Sequence, residues 1–496
     1  MRDPERTGII DAGRGELRVS YGELDRKAAR VASHLRARGV GEGDRVAICT
    51  ANGLEFVVAW FGAVYAGCAT LPIPAESTTP EIAFRLRHAG CGALLTDAGR
   101  TAVARESVSR ASSSAALLGV QEAIEIAPGE DAPCELPANA LGMLLYTSGT
   151  TGAAKCACIS HGSLRAHTRT LVEEVIQLGE TDRVLGALPL THSYGLRTTL
   201  LAPFYAGAST VFTPKFSPRR TLELCDAHGV TWLPAVPTML IAWANDDTAP
   251  TPTTLRWCMS AGAPLTENVR LRAEKRLGAP VRQAYGLTEA NLTAINAPPD
   301  EAIAGSSGKP VADVTVRIVN ESGVEVPQGS HGEVLVRGPN VMEGYLDDKI
   351  ATAHVMRGGW LHTGDLGFVD GQGRLTIVDR SKDLILRGGA SIYPSEVERV
   401  LAVHPAVRDA AVVGQPDDYY GEQVVAVVVL DGHAAAADLD AWVRARLAPY
   451  KVPRYYAFID SLPRSGSGKT LKRHLREQLV SGALRTEALG ANRSAQ

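Results

Sequence analysis

The sequence has no cysteine pattern of the kind that holds a metal or a disulfide framework. None of its eight cysteines falls in a C-x-x-C pair, no cluster of cysteine and histidine has ligand spacing, and all eight precede residue 260. In a chain of 496 residues, this usage is typical of buried free thiols in a reducing compartment. We therefore expect a cytoplasmic protein.

A strong excess of positive charge is also missing. The formal net charge is −3, so no broad electropositive surface is expected, and we expect neither nucleic acid nor an anionic membrane to be the principal partner. A phosphate-rich substrate stays possible, because backbone amides and a few lysines can bind phosphate locally.

Long apolar runs are rare. The first residues, MRDPERTGII, lack the apolar core of a signal peptide. One uncharged stretch, Phe56 to Pro74, is about as long as a short membrane span. Gly67 and two prolines interrupt it, so we predict a buried helix followed by a strand over Ala69–Ile73 and no membrane span.

Patterns of secondary structure divide the chain into unequal parts. Helix and strand signals alternate to about residue 240, starting with a capping box at Ser20 and Glu23, and favour mostly parallel sheets. Short strands with glycine turns follow from about 311 to 380 and indicate a β-barrel-like subdomain. The fold class is therefore α/β: a large domain of stacked, mostly parallel sheets (residues 1–381) and a small mobile α+β domain (residues 382–496).

A polar loop after the apolar strand Leu141–Leu145 has the composition of a phosphate grip. It combines two glycines that expose backbone amides, several hydroxyls and a lysine, and it does not match a Walker A loop. The alternative is a Ser/Thr-rich surface turn. The predicted phosphate-binding residues are Thr147, Ser148, Gly149, Thr150, Thr151, Gly152 and Lys155.

The loop from Tyr146 to Lys155 resembles the phosphate loop of the adenylate-forming (ANL) superfamily, which includes acyl-CoA synthetases, aryl-CoA ligases, nonribosomal-peptide adenylation domains and luciferases. Ala154 stands where that family usually has proline. The resemblance covers nearly the whole chain, with the motifs in the family's order. It implies an AMP-forming acid–thiol ligase that uses ATP, Mg²⁺ and either coenzyme A or the phosphopantetheine of a carrier protein.

Further motifs carry the resemblance through the nucleotide site. The segment Ser260–Leu265 looks like the adenine edge, YGLTE at 285–289 like the core motif, and HTGDL at 362–366 like the ribose motif. The resemblance implies that Tyr285 stacks on adenine, Thr288 contacts the α-phosphate and Glu289 holds Mg²⁺, which prefers such oxygen ligands. The other implied nucleotide-binding residues are Gly262, Ala263, Pro264, Gly286, Asp365 and Arg380.

Two C-terminal motifs imply a moving lid. Residues 379–383, DRSKD, are similar to the family's hinge, with Lys382 as the pivot. LPRSGSGKT at 462–470 resembles the family's lysine loop, in which Lys469 would orient the carboxylate and stabilise charge at the α-phosphorus. The implied thiol tunnel contains Gly388, Gly389 and Ser391, where relatives often carry Asn at the last position.

The acid site is the least defined part. The segment Leu188–Leu196 resembles the one that carries the gate between the acid and thiol channels, and His192 is the candidate gate, with a structural histidine as the alternative. No Asp occurs in this segment to pair with a substrate ammonium, so we expect a fatty or aryl acid rather than an α-amino acid. The implied pocket residues are His192, Val236, Pro237, Ala261, Ala284 and Asn291.

Several alternatives remain open. A stand-alone enzyme could load a carrier protein instead of CoA, since both acceptors present the same thiol arm. The span from Glu289 to His362 leaves little room for the insertion that marks fatty-acyl-AMP ligases. A non-catalytic nucleotide-binding regulator is disfavoured because every expected charged position is present, and a luciferase-like oxygenase is not distinguished by motif. The oligomeric state is not indicated.

Overall fold

The computed structural model describes residues 3–126, 132–147, 155–464 and 469–488. Four sheets organise these residues, and helices connect the parallel strands. The α-helices are Tyr21–Arg36, Leu54–Tyr65, Thr79–Ala89, Thr101–Arg110, Val120–Ile126, His161–Arg169, Ser193–Leu196, Ala202–Ala206, Pro218–Ala227, Pro237–Ala244, Glu267–Leu277, Lys349–Val355, Pro394–Ala402, Ala436–Arg444 and Lys472–Val480. Thr170–Ile176 and Arg197–Leu201 are π-helical, and Ala12–Arg14, Ala98–Arg100, Ser381–Asp383 and Pro449–Lys451 are 3₁₀ turns.

Two large sheets form the body of the N-terminal region. In spatial order, the nine-stranded sheet contains Lys309–Pro310, Asn291–Ile295, Val281–Leu287, Trp257–Ser260, Trp232–Ala235, Arg183–Gly186, Ser209–Phe212, Thr7–Asp11 and Leu17–Ser20. The seven-stranded sheet contains Gly344–Tyr345, Lys155–Ser160, Leu141–Thr147, Ala69–Pro72, Arg45–Cys49, Ala93–Thr96 and Ala116–Gly119. Most neighbouring strands within each sheet are parallel, which confirms the predicted fold class.

The third sheet is antiparallel and occupies the predicted barrel-like stretch. Its strands are Thr315–Val319, Gly332–Arg337, Trp360–Val369 and Met356–Arg357. A fifth strand, Leu375–Arg380, pairs with Trp360–Val369 on the side opposite Gly332–Arg337. The fourth sheet contains Ala390–Ile392, Ile385–Arg387, Gly421–Leu430, Tyr455–Phe458 and Glu487–Ala488, with Val407–Asp417 paired to Gly421–Leu430. The 3₁₀ turn Ser381–Asp383, which contains Lys382, lies between these two sheets. The domain boundary at this residue stays a prediction.

The uncharged stretch after Phe56 is interior structure. Leu54–Tyr65 is a helix with buried residues on most of its surface, and Ala69–Pro72 is a fully buried strand. The predicted helix and strand are therefore confirmed. Among the described residues, no helix has both the length and the apolarity needed to cross a membrane. All eight cysteines are free thiols.

Candidate active site

The carboxyl ends of three neighbouring parallel strands bring the predicted acid-pocket residues together. Ala235 lies beside Ser260, and Ser260 beside Gln283. The residues that follow, Val236, Ala261 and Ala284, are therefore at the same level on adjacent strands. Pro237 begins the next helix. Ligands of open parallel sheets bind at such carboxyl ends.

The predicted adenine-edge segment continues from the middle strand of these three. Gly262 has a φ of +89°, and a Cβ at this position would lie 3.6 Å from Cγ1 of Val236. The left-handed conformation favours glycine and turns the chain over the pocket residues. Ala263 is partly buried and Pro264 is exposed. The segment thus lies directly beside the predicted acid pocket.

Asp365 connects the predicted adenine and ribose motifs. Its Oδ2 accepts a hydrogen bond of 2.6 Å from the Tyr285 hydroxyl, and its Oδ1 lies 2.9 Å from Nε of Arg380. The carboxylate is 3% exposed. The nearby Asp365 charge raises the pKa of Arg380, and burial followed by the same charge raises the pKa of Tyr285 well above 10.0. A carboxylate has about four lone-pair sites, so two remain for a ligand hydroxyl pair.

The core motif needs a glycine at its bend. The chain reverses direction in a turn between the strands Val281–Leu287 and Asn291–Ile295, which pair antiparallel. A Cβ on Gly286 would lie 2.0 Å from the carbonyl oxygen of Asn291, because the second strand passes directly beside it. The turn places Thr288 and Glu289 at its tip. Both are partly exposed, as groups that meet a ligand must be.

Tyr345 joins the tip of this turn to the phosphate loop. Its hydroxyl donates a 2.9 Å hydrogen bond to Oε1 of Glu289, and Nζ of Lys155 lies 5.1 Å from the centre of its ring. The backbone N–H of Met342 donates to the Glu289 carbonyl at 2.7 Å. These contacts hold the Glu289 carboxylate and the lysine at one place.

The donor set around Glu289 fits Mg²⁺ better than a metal enclosed by protein. No group of three or more His, Cys, Asp or Glu side chains that could hold a metal occurs in the part of the chain that the structure describes. Mg²⁺ is commonly bound through one or two carboxylates, with phosphate and water oxygens as its other ligands. Glu289 has an oxygen available for this role besides the one that Tyr345 contacts.

The described residues include only the two ends of the phosphate loop. Thr147 and Lys155 face each other in the antiparallel pair formed by Leu141–Thr147 and Lys155–Ser160. The loop therefore begins and ends at one point of the sheet. The predicted residues Ser148, Gly149, Thr150, Thr151 and Gly152 lie outside the described residues.

Lys469 reaches the nucleotide cluster from the C-terminal region. The residue is exposed by surface area, yet desolvation by the surrounding protein and then repulsion from Arg380 lower the pKa of its ammonium group. The carboxylates of Asp365 and Glu289 oppose this shift. The structure therefore gathers the charges of four separate predicted motifs.

His192 faces the same cluster. Burial, then the positive charges of Lys469 and Arg85, lower the pKa of its imidazole. The segment before it is held by Asn52, whose side chain donates to the Leu188 carbonyl at 2.8 Å and accepts from the Leu190 N–H at 3.0 Å. A neutral histidine beside Lys469 is compatible with both the gate and the structural interpretation.

Both polar atoms of the Asn291 side chain form hydrogen bonds with other residues of the protein. Its Oδ1 accepts a 2.5 Å hydrogen bond from the Ser193 hydroxyl, and its Nδ2 donates to the Asn340 carbonyl at 3.2 Å. Asn291 thus fastens the helix that begins after His192 to the strand that follows the core motif. Its predicted contact with the acid stays a prediction.

The predicted thiol-tunnel residues form a separate hairpin. Gly388 and Gly389 have φ values of +57° and +81°, and they join the strands Ile385–Arg387 and Ala390–Ile392. Two left-handed residues are typical of the tight turn in such hairpins. Ser391 is exposed on the second strand. The partners of Arg387, namely Tyr420, Gln423 and Tyr450, belong to the C-terminal region itself.

Tyr345, Asn52 and Asn340 were missed by sequence reasoning. Tyr345 holds Glu289 although 56 residues separate them, and Asn52 holds Leu188 over 136 residues. No local pattern predicts such contacts. Gly344, the residue before Tyr345, has a φ of +145°, which only the structure reveals.

Comparison with known proteins extends this picture over the whole chain. The family model described as AMP-binding enzyme matches residues 1–346, and the model of the AMP-binding enzyme C-terminal domain matches residues 396–469. A feruloyl-CoA synthase from Amycolatopsis sp is 38% identical over 488 residues, with 96% of each chain covered.

Solved structures of similar proteins have the same fold. ATP-bound MatB from Rhodopseudomonas palustris has a TM-score of 0.91 at 32% identity, with 96% of each chain covered, and its apo form has a TM-score of 0.79. The o-succinylbenzoate CoA synthetase of Bacillus subtilis, in complex with its acyl-adenylate, has a TM-score of 0.86 at 32% identity and covers 95% of this chain and 96% of its own. The present structure is thus more similar to the ATP-bound than to the apo form of MatB.

These findings confirm the family resemblance, the fold class and the enzyme class predicted from the sequence, an AMP-forming acid–thiol ligase. Use of ATP and CoA and a small-molecule acid as substrate are supported by the same relatives. With family models matched over residues 1–346 and 396–469, the chain belongs to the AMP-binding enzymes.

Proposed function

We propose that this enzyme converts a fatty or aryl acid to its acyl-adenylate with the charged cluster of Glu289, Asp365, Arg380 and Lys469, and then transfers the acyl group to CoA. The observation that carries the proposal is the convergence of Lys469 on Arg380, Asp365 and Glu289 from another part of the chain. Similarity to a feruloyl-CoA synthase and to a long-chain-fatty-acid–CoA ligase from Bacillus subtilis supports the class of acid.

Binding of ATP would use the paired groups of the cluster. The ring of Tyr285, fixed through its hydroxyl to Asp365, would stack on adenine beside Gly262 and Ala263. The free lone pairs of Asp365 would accept the ribose hydroxyls, and Arg380 would stay on its other oxygen. Thr147, Thr288 and Lys155 would face the phosphates. Mg²⁺, held by Glu289, would neutralise phosphate charge.

The first step would be in-line attack on ATP. One carboxylate oxygen of the acid would bond to the α-phosphorus as the bond from that phosphorus to the bridging oxygen breaks, and pyrophosphate would leave. Lys469 would orient the carboxylate and stabilise the charge that grows on the α-phosphate oxygens. Positioning and charge supply most of the rate enhancement in such transfers.

Transfer of the acyl group to CoA, the second step, would require a different face of the small domain to meet the adenylate. In the present arrangement Lys469 faces the cluster, whereas the hairpin with Gly388 and Gly389 contacts its own domain. Rotation about Lys382 would withdraw the lysine and bring the hairpin to the adenylate, where its glycines permit close approach of the thiol arm. His192 would move aside to admit the thiol. The thiol sulfur, on losing its proton, would bond to the acyl carbon as the bond from that carbon to the phosphate oxygen breaks, and AMP would leave.

The test combines an acid panel with two thiol acceptors. Purified enzyme, ATP and Mg²⁺ are mixed with fatty, aryl and α-amino acids, and pyrophosphate release is followed with no acceptor, with CoA and with a phosphopantetheinylated carrier protein. We expect release with fatty or aryl acids and thioester formation on CoA. Release with amino acids alone would contradict the proposed acid class, and transfer to the carrier protein alone would contradict CoA as the acceptor.

A further inference from the structure

Arg197 is a buried cation with no protein partner in the described structure. It is 1% exposed, and its Nε, Nη1 and Nη2 all lack a hydrogen-bond partner among the described residues. Burial alone lowers the pKa of its guanidinium to about 9. An uncompensated buried charge is costly, so buried arginines are normally paired or bound to a ligand.

The position of Arg197 places it at the wall of the predicted acid pocket. Ser193, one helical turn earlier, donates its hydroxyl hydrogen bond to Asn291. Residues four apart lie on the same side of a helix, so Arg197 lies on the side that Ser193 turns toward Asn291. Arg197 also lowers the pKa of His167, whose ring contacts the next residue of that strand, Leu292.

His167 supplies a second donor without an acceptor. Its Nε2 accepts a 3.3 Å hydrogen bond from the backbone N–H of Leu292. Because burial and Arg197 lower its pKa well below 6.5, the ring is neutral, and a neutral ring that accepts at Nε2 carries its proton on Nδ1. That Nδ1 is buried and has no partner among the described residues.

A third unsatisfied group lies on the same strand. Thr293 is 0% exposed, and its hydroxyl has no partner among the described residues. It lies at a bulge of this strand, next to Leu292, the residue that His167 contacts. The three groups without partners in the described structure therefore lie on elements that contact one another, since Ser193 on the helix before Arg197 bonds Asn291 and His167 bonds Leu292.

Resting on the proposed acid-activating function, we propose that Arg197, His167 and Thr293 form a subsite that binds the second carboxylate of a dicarboxylic acid, at the end remote from the carboxylate that reacts with ATP. A carboxylate accepts two parallel N–H bonds from a guanidinium and retains lone pairs for the imidazole N–H and the hydroxyl. An alkyl or aryl end without an anionic group would leave this buried cation unpaired. A bound water would serve the neutral donors but would leave the charge unpaired.

The test uses pairs of acids that differ only in the remote group: hexanoate with adipate, benzoate with terephthalate, and cinnamate with 4-carboxycinnamate. Pyrophosphate release gives kcat/KM, and calorimetry of each acid with the enzyme gives binding without chemistry. The variants are Arg197→Met and Arg197→Lys, and the control is Arg165→Met, an exposed arginine two residues before His167. Removal of an unpaired buried charge should leave Arg197→Met folded, with no loss of Tm.

We expect at least one diacid to exceed its monoacid partner roughly tenfold in kcat/KM, because a buried charged pair is gained. Arg197→Met should abolish or reverse this preference, Arg197→Lys should keep part of it, and Arg165→Met should leave it unchanged. Monoacids favoured by the unaltered enzyme, or a preference that survives Arg197→Met, would overturn the subsite. Diacid binding that depends on Arg197 without any pyrophosphate release would keep the subsite and refute the acid-activating function. Absence of both binding and release would refute both.

Discussion

Two polar regions of this enzyme differ in how their groups are satisfied. Around Asp365, the carboxylates have partners: Tyr285 and Arg380 contact Asp365, and Tyr345 contacts Glu289. Around Arg197, the guanidinium, the Nδ1 of His167 and the Thr293 hydroxyl have no partner among the described residues. The first region is organised before ligand binds, as a site for the nucleotide common to the family should be. The second, by the inference above, is completed by the acid itself.

The largest effect expected in the first region comes from Lys469→Ala. Loss of one charge that acts mainly in the transition state should reduce adenylation by about 10²–10³, roughly 3–4 kcal/mol. Single-turnover pyrophosphate release measures this step. Thioester formation from added acyl-adenylate and CoA should be nearly unchanged.

Lys349→Ala, an exposed lysine on the helix Lys349–Val355, is the matched control and should retain full adenylation. If Lys469→Ala slowed adenylation and thioester formation equally, the lysine would support the fold rather than the first step. The assignment of Lys469 to adenylation alone would then be wrong.

Asp365→Asn tests whether the paired region binds the nucleotide. The substitution removes the ion pair with Arg380 and the charged acceptor of Tyr285. Charged hydrogen bonds contribute about 1.5–3 kcal/mol, so the KM for ATP should rise at least tenfold. Initial rates at varied ATP measure it. An unchanged KM for ATP with a raised KM for the acid would place the nucleotide elsewhere.

The pH dependence of the free energy of unfolding tests whether His167, in the second region, is buried as a neutral ring. The pKa of His167 is well below 6.5 because the ring is buried beside Arg197. Below pH 6.5 the unfolded chain therefore binds a proton that the folded chain does not, and stability falls as pH falls, by up to about 1.4 kcal/mol per pH unit for one histidine. Denaturant unfolding between pH 7 and pH 5 should show a shallower loss for His167→Gln than for the unaltered protein.

His34, His161, His192 and His228 also have lowered pKa values and will contribute to the same slope. The comparison is therefore between the two slopes, not their absolute values. If stability fell equally steeply with pH in His167→Gln and in the unaltered protein, the pKa of His167 would not be lowered by folding. The assignment of a neutral ring with its proton on Nδ1 would then be wrong.

The smallest change is expected for Tyr345→Phe. It deletes only the hydroxyl that donates to the partly exposed Glu289 carboxylate, and it keeps the ring beside Lys155. The Mg²⁺ concentration needed for half-maximal rate should rise a few-fold. Tyr419→Phe, whose ring is 84% exposed, should have no effect. If the adenylation rate of Tyr345→Phe stayed low at saturating Mg²⁺, the hydroxyl would have a role other than positioning Glu289.

The sequence predicts what local pattern and motif determine. The buried helix and strand predicted between Phe56 and Pro74 are formed, and so is the capping box at Ser20 and Glu23. The strand predicted over Ala69–Ile73 ends at Pro72, the last residue that pairs with Arg45–Cys49. Strand ends are set by the partner strand, which local sequence does not show.

Motifs predict the residues of the paired region but not how they are held. Asp365, Arg380 and Tyr285 come from three motifs, and the structure adds that one carboxylate joins them. Arg197 lies inside the segment after the candidate gate, yet its burial and its lack of a partner are properties of the packed molecule. Such a group can be found only after the fold is known.

Acid-dependent exchange of labelled pyrophosphate into ATP, measured without CoA, tests the central claim most directly. Reversible adenylation by the charged cluster predicts exchange that requires the acid and Mg²⁺, does not require CoA, and is lost with Lys469→Ala. Exchange that appears only when CoA is present, or ATP binding with no exchange for any acid, would contradict the account.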